Sequence, residues 1–325
     1  MPEVRAPFHR IIIQVTRDLE CSIPVRPPDF HSQAPMKVPK RLEPLVHEGL
    51  IDEVLGSLKS GKEAAVYVVR ADGVVSCAKV YKAVDQRGFH KQSLYREGRQ
   101  VRNSRQARAM AKGSRYGRRE QEDVWQNTEV DALYRLAAAG VRVPQPYNFI
   151  DGVLLMELIT DAAGEVAPRL NDLDLTPEQA RAYHASLIAD VVRMLGIGLI
   201  HGDLSEFNIL VDAQGPVIID LPQAVDAAAN NHAPWMLKRD VANLAAYFGQ
   251  VAPELLTSSD GEAIWHLYEH GHLTPEISLT GHFKGQHRTV DLDGLLSEIH
   301  DAEEEAQRRR QARDGDPLDA EPVPQ

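Results

Sequence analysis

The pattern of hydrophobic and polar positions first predicts a helix and then two strands. From Leu42 to Leu58 the apolar spacing favours one amphipathic helix that ends near Gly56. Two runs rich in β-forming residues follow, Ala65–Val69 and Val74–Val80, and they flank Asp72-Gly73. An Asp-Gly pair between two such runs is a strong signal for a two-residue hairpin turn. The first part of the chain is therefore predicted to contain a β-hairpin.

Helical periodicity dominates further along the chain. Residues 124–140 predict a helix ended by Gly140, and Pro-bounded strands with a turn at Asp151-Gly152 come next. Thr176, Pro177 and Gln179 have the pattern of a helix start with a capping box. A small hairpin then separates this long helix from helices predicted over residues 235–248, 260–270 and 290–311. Strands with one helix followed mainly by helices indicate an α+β fold with two lobes.

These patterns divide the chain into four segments. Prolines that include Pro24, Pro27, Pro28 and Pro35 break any regular element in the first 40 residues, which we interpret as a flexible N-terminal arm. The segments after it are a β-rich N-lobe over residues 41–157, a helical C-lobe over 158–290, and a C-terminal helix with a disordered tail over 291–325.

Composition narrows the class of protein. The 325 residues carry a net charge of -11, which argues against a general nucleic-acid coat. Two cysteines far apart in sequence cannot form a disulfide framework or a cysteine-based zinc site, so a reducing cytoplasm is expected. No signal-peptide core and no apolar run of about 20 residues is present, so no membrane span is expected.

A polar loop between two apolar runs is the strongest indication of chemistry. Asp203 and Asn208 lie five residues apart in "HGDLSEFN", and Asp220 ends the next apolar run. Asp203 can orient or deprotonate a hydroxyl or a water. The amide oxygen of Asn208 and the carboxylate of Asp220 suit Mg²⁺, with Mn²⁺ as a substitute, that keeps waters and nucleotide phosphates as its other ligands. This combination predicts phosphoryl transfer from ATP.

The N-lobe offers the remaining parts of such a site. Lys79 lies in a strand run, from which it can reach the α- and β-phosphates, and Glu129 on the 124–140 helix is the predicted partner of its ammonium group. The sequence "SGKEA" offers a glycine, a hydroxyl and backbone N–H groups to the phosphates. The predicted ATP-binding residues of this loop and of the linker between lobes, where the backbone can meet an adenine edge, are Ser60, Gly61, Lys62, Glu63, Ala64, Met156, Glu157 and Leu158.

Together these motifs resemble the protein-kinase-like superfamily, and within it the RIO family of atypical serine/threonine kinases, of the RIO1-like or bacterial branch. The match lies in order and in register over about residues 55–248, and is carried by "SGKEAAVY", "VWQNTEVDALYRL", "VLLMELI", "HGDLSEFN", "IIDLPQAV" and "KRDVANL". The resemblance implies a bilobal kinase-like fold, ATP and Mg²⁺. It also implies Lys79 on the phosphates, Glu129 paired with it, Asp203 as catalytic base, and Asn208 and Asp220 on the metal.

Several functions stay open at this stage. The sequence fits an ATP-dependent serine kinase or ATPase that phosphorylates itself or acts as a switch. It also fits a small-molecule phosphotransferase of the aminoglycoside type, which shares an "HGDL" loop, or a nucleotide-gated binding module with little catalysis. Residues 82–119 hold twelve Lys or Arg against two acids. We interpret this basic loop either as a solvated flexible loop or as a surface for RNA, a ribosomal particle or an acidic protein.

Overall fold

A computed structural model describes residues 37–61, 64–82, 128–275, 277 and 279. Residues 1–36 of the predicted N-terminal arm, the predicted helix over 290–311 and the predicted disordered tail lie outside these residues. So do Lys62, Glu63 and all of the basic loop except Lys82.

A five-stranded antiparallel sheet forms the N-lobe. Its strands have the spatial order β1-β2-β3-β5-β4. They cover Glu53–Ser60 (β1), Ala64–Ala71 (β2), Val74–Tyr81 (β3), Pro146–Ile150 (β4) and Val153–Glu157 (β5). A short helix, Glu43–His47 (α1), precedes the sheet, and a helix whose described part covers residues 128–138 (α2) lies between β3 and β4 in sequence. The predicted α+β plan is confirmed.

Both predicted hairpin turns are present. Asp72 and Gly73 have φ of 49° and 78°, and Asp151 and Gly152 have φ of 50° and 74°. Positive φ at both central residues is the backbone of a type I′ turn, whose twist matches that of paired strands. The first turn joins β2 to β3, so that Ala71 pairs with Val74.

The predicted helix from Leu42 to Leu58 is wrong. The helical part ends after His47, and Gly49, with φ of 73°, reverses the chain before β1 begins at Glu53. Strand β1 pairs with β2, and its register shifts twice along this pairing. These irregularities disturb the alternation of buried and exposed positions, so the apolar spacing mimics a helical period.

The two faces of the sheet have different neighbours. Ala78, Val80 and Leu155 pack with α1 in one apolar cluster. Tyr81 and Leu154 point to the opposite face, where they pack with α2 in the main core. Because side chains alternate along a strand, Lys79 is directed to this second face with Tyr81.

The C-lobe is built on three helices, Pro177–Gly196 (α3), Ala233–Phe248 (α4) and Asp260–Glu269 (α5). Helix α3 begins with the predicted capping box: Gln179 N–H donates to Thr176 Oγ1, and Gln179 Oε1 accepts from Thr176 N–H. Among the described residues, no helix has the length and apolar character that a membrane crossing needs.

Two small sheets hold the polar loop between these helices. Strands Ile209–Asp212 (β7) and Gly215–Ile218 (β8) form the predicted hairpin, and strands Leu199–Ile200 (β6) and Val225–Asp226 (β9) pair at its base. The loop therefore leaves and returns at one place on the C-lobe.

Candidate active site

Lys79 lies between two carboxylates from different parts of the chain. Its ammonium group pairs with Glu129 Oε1 on α2 and lies 3.0 Å from Asp220 Oδ1, which follows β8. The Lys79 and Glu129 side chains are 13 % and 4 % exposed, whereas that of Asp220 is 50 % exposed. The inner pair is shielded from water, and the outer carboxylate faces the cleft.

Tyr81 fixes the buried carboxylate from a second direction. Its hydroxyl donates to Glu129 Oε2 at 2.7 Å, and the whole tyrosine is buried. No local sequence pattern indicates this contact, because it joins two elements far apart in sequence. Asp131 on the same helix is exposed, so the structure distinguishes it from Glu129.

The charges of this cluster stabilise one another. The positive charge of Lys79 holds the pKa of Asp220 below its ordinary value, against the effect of burial. Burial alone would lower the pKa of Lys79, but the charges of Glu129 and Asp220 outweigh it, and the net pKa is raised well above its ordinary value. Lys79 therefore remains an ammonium ion and Asp220 a carboxylate near neutral pH.

The polar loop is held by hydrogen bonds within itself. His201 Nδ1 accepts from the Asp203 N–H at 3.2 Å, so Nε2 is the nitrogen that donates to Ile219 O at 3.1 Å. These two hydrogen bonds give His201 a structural role in holding the loop. Asn208 Nδ2 donates to Asp203 O at 2.9 Å. The Asp203 side chain is exposed at the loop surface.

Asp240 on α4 anchors the same loop from below. Its carboxylate accepts from Gly202 N at 2.7 Å and from Leu204 N at 3.3 Å, and the side chain is 2 % exposed. Arg239 donates to Gly202 O, and Asn243 donates to Leu204 O at 3.1 Å. The motif "KRDVANL" contained the only sequence signal for this anchor, since the contacts depend on tertiary structure.

The β7–β8 hairpin brings Asn208 and Asp220 to one end. Ile209 pairs with Ile218, and Ile219 N donates to Asn208 O at 3.0 Å. Because the Asn208 amide nitrogen is used by Asp203, the amide oxygen is the atom left for a cation. An ionised carboxylate and an amide oxygen that share one end of a hairpin fit a hard cation such as Mg²⁺.

The predicted phosphate loop lies between β1 and β2, because the end of the segment predicted as a helix before it is strand β1. Ser60 ends β1, Ala64 begins β2, and Gly61 N donates to Ala64 O at 2.9 Å. Lys82, which sequence analysis did not single out, donates to Ser60 Oγ at 3.2 Å and to Gly61 O at 2.5 Å. These hydrogen bonds connect the loop to the end of β3, which is the strand that carries Lys79.

Gly61, Lys79 and Asp220 border one cavity of about 650 Å³, whereas Asp203 and Asn208 are not among its lining residues. Its walls are mainly apolar, and its charged lining residues are Lys59, Lys79, Glu157, Arg169, Asp172 and Asp220. Of the predicted linker residues, Met156, Glu157 and Leu158 all border it. The Glu157 N–H already donates to Gln145 O at 2.8 Å, which leaves other backbone groups for an adenine edge. A molecule that combines apolar and anionic parts fits a cavity with this lining.

Comparisons with known proteins agree with the motifs. The family model described as RIO domain matches residues 65–260. A serine/threonine-protein kinase rio1 of Schizosaccharomyces pombe is 32 % identical over 213 residues, which are 63 % of this chain and 40 % of that protein. The RIO-type serine/threonine-protein kinase Rio1 of Haloferax volcanii is 32 % identical over 228 residues, 67 % of this chain and 73 % of the relative.

A third relative lies in another branch. The RIO-type serine/threonine-protein kinase Rio2 of Methanocaldococcus jannaschii is 31 % identical over 62 % of this chain and 70 % of its own length. This chain spans only about two fifths of the length of the S. pombe relative. The family match covers β3 to β5, the polar loop and α4, whereas β1 precedes it. The chain belongs to the RIO family of atypical serine/threonine kinases.

Proposed function

We propose that this chain is an ATP- and Mg²⁺-dependent phosphotransferase or ATPase of RIO type. The observation that carries the proposal is the Lys79 cluster, in which one buried carboxylate and one exposed carboxylate meet a single ammonium group at the charged part of the cavity. Membership in the RIO family favours this function over an aminoglycoside-type phosphotransferase.

Each residue has a distinct task in the proposed reaction. Lys79, oriented by Glu129, would hold the α- and β-phosphates, and the backbone and side chains of residues 60–64 would lie along the rest of the triphosphate. Asn208 and Asp220 would hold Mg²⁺, which when bound neutralises charge on the phosphates. Asp203 would accept the proton of the attacking hydroxyl or water, because its carboxylate lies exposed on the same loop.

The path of the chain after Asp220 favours a restricted set of acceptors. Val225 pairs with Ile200 only five residues later, and Ala227 N donates to Gly198 O at 2.9 Å. The chain thus returns directly to the C-lobe and has little length in which to form a platform for a peptide. We therefore propose autophosphorylation, ATP hydrolysis or a nucleotide-driven switch in preference to phosphorylation of other proteins.

The same proposal includes partners and location. A basic loop with twelve cationic side chains would attract phosphates, which supports RNA or a ribosomal particle as a partner, and thereby a role in ribosome maturation. An acidic protein is the alternative partner. Two distant cysteines are consistent with the cytoplasm.

Turnover of γ-labelled ATP with Mg²⁺ tests the function. Wild type, Asp203→Ala and Glu206→Ala would be compared, with free phosphate separated from label on the protein. Glu206 lies in the same loop and has no proposed role, so it is the matched control. We expect turnover to fall at least about a hundredfold in Asp203→Ala, the usual cost of losing a general base, and to stay near wild type in Glu206→Ala.

The distribution of label separates the forms of the function. Label on the protein would identify a kinase, and free phosphate alone would identify an ATPase. If the wild type binds ATP without turnover, the enzyme is refuted and the nucleotide-gated binding module remains. Equal loss in both variants would refute Asp203 as the base.

A further inference from the structure

An irregularity in strand β1 directs a lysine into the cavity. Ser57 pairs with Tyr67 and Lys59 pairs with Val66, so two steps along β1 correspond to one step along β2, and Leu58 is the additional residue. Consecutive strand residues normally point to opposite faces, but a bulge can turn both to one side. Leu58 and Lys59 accordingly both border the cavity.

Lys59 joins a part of the cavity that already carries charge. Gly61, Lys79 and Asp220 border the same cavity. The bulge thus adds a further cation from the N-lobe sheet to the cavity lining that Lys79 and Asp220 share.

Among the described residues, three lysines in this region differ in the hydrogen bonds and ion pairs that they make. Lys79 is paired with two carboxylates, and Lys82 donates to Ser60 and to Gly61. Lys59 is exposed, and within the described part of the chain it has no hydrogen bond and no ion pair closer than 4.0 Å. Among these three described lysines, Lys59 therefore carries the charge that is most open to an incoming anion.

We propose that Lys59 binds the terminal phosphates of a nucleoside triphosphate and makes the cavity prefer a triphosphate to a diphosphate. This inference rests on the proposed nucleotide-binding function and adds a specificity residue to it. A flexible, partly hydrated ammonium contributes modestly, and its contribution weakens as salt rises because exposed charges are screened.

Binding measurements without turnover test this role. The β,γ-imido analogue of ATP, ADP and adenosine would be titrated calorimetrically with Mg²⁺ into wild type, Lys59→Gln, Lys59→Arg and Lys40→Gln. Glutamine keeps most of the side chain without the charge, and arginine restores the charge. Lys40 is also exposed but does not border the cavity, so it controls for the loss of one positive charge.

We expect Lys59→Gln to raise the Kd of the triphosphate about tenfold, as for the loss of one charge-assisted contact. The Kd of ADP should rise less and that of adenosine should not change. Lys59→Arg should recover most of the affinity, and the difference between wild type and Lys59→Gln should shrink at high salt.

Two different results would contradict this inference, and only one of them would also contradict the proposed function. If Lys59→Gln binds all three ligands as Lys40→Gln does, or weakens them all equally, this inference is overturned while the proposed function stands. If wild type binds none of the three ligands, the proposed function fails and this inference fails with it.

Discussion

Replacing Tyr81 by phenylalanine removes one oxygen atom from behind the active-site cluster and keeps the ring. The hydroxyl donates to Glu129 Oε2 at 2.7 Å, where tyrosine and glutamate are both buried. The ring itself packs edge-on against Phe149, with centroids 6.1 Å apart, and this packing remains in the variant. The substitution therefore removes the hydrogen bond to Glu129 and leaves this ring packing in place.

The expected magnitude follows from burial. Hydrogen bonds to charged groups contribute about 1.5–3 kcal/mol, and water cannot readily replace a donor to a carboxylate that is 4 % exposed. We expect the free energy of unfolding of Tyr81→Phe to fall by about 2 kcal/mol. Since Glu129 orients Lys79, we also expect weaker turnover of ATP.

Urea unfolding followed by tryptophan fluorescence measures the change, with an unaltered dependence on urea as a check that folding stays two-state. Tyr134→Phe is the matched control, because Tyr134 lies on α2 but is 40 % exposed. It should change stability by no more than about 0.5 kcal/mol. If both variants lose the same amount, the contact to Glu129 contributes nothing and the reasoning is refuted.

Three further predictions concern other parts of the site. Asp240→Asn leaves one acceptor oxygen for two backbone N–H groups. The variant should therefore lose about 1–3 kcal/mol of unfolding free energy in the same assay and turn over ATP more slowly. An unchanged unfolding curve would contradict the role of Asp240 as an anchor of the loop. The pKa of Asp220 is lowered by Lys79, so its stabilisation is present above an unfolded pKa of about 3.9 and is lost as pH falls through the folded value. Unfolding free energies between pH 7 and 3 should therefore fall less steeply in Asp220→Asn, and parallel profiles would speak against the ion pair. Burial raises the pKa of Cys77 to about 12. Iodoacetamide at pH 8 should therefore alkylate Cys77 slowly in the native protein and readily in urea, as measured on its tryptic peptide. Rapid labelling of the native protein would contradict this protection.

Local signals were the most predictable part of the fold. Each Asp-Gly turn needs only its own two residues to adopt positive φ, and the capping box at Thr176 needs only the first turn of α3. The order of the motifs also predicted two lobes. These features depend on residues that are neighbours in sequence, so a local sequence pattern is enough to predict them.

The errors and omissions depend on contacts between distant residues. Residues 42–58 were predicted as one helix because the irregular register of β1 is set by its pairing with β2. The roles of Tyr81 and Asp240 were not predicted because their partners lie far away in sequence. Tyr81 is 48 residues from Glu129, and Asp240 is 38 residues from Gly202 and 36 from Leu204. A residue that acts through a distant partner has no local pattern that reveals it.

The pairing of β6 with β9 has a consequence for how the site can be regulated. Ile200 pairs with Val225, and the intervening chain contains Asp203, Asn208 and Asp220. These three residues are thus parts of one closed loop and should move together as a rigid body. The main freedom left is the separation of the lobes, which the 3.0 Å contact between Lys79 and Asp220 spans. A partner that opens or closes the cleft would then turn the whole site off or on in a single step.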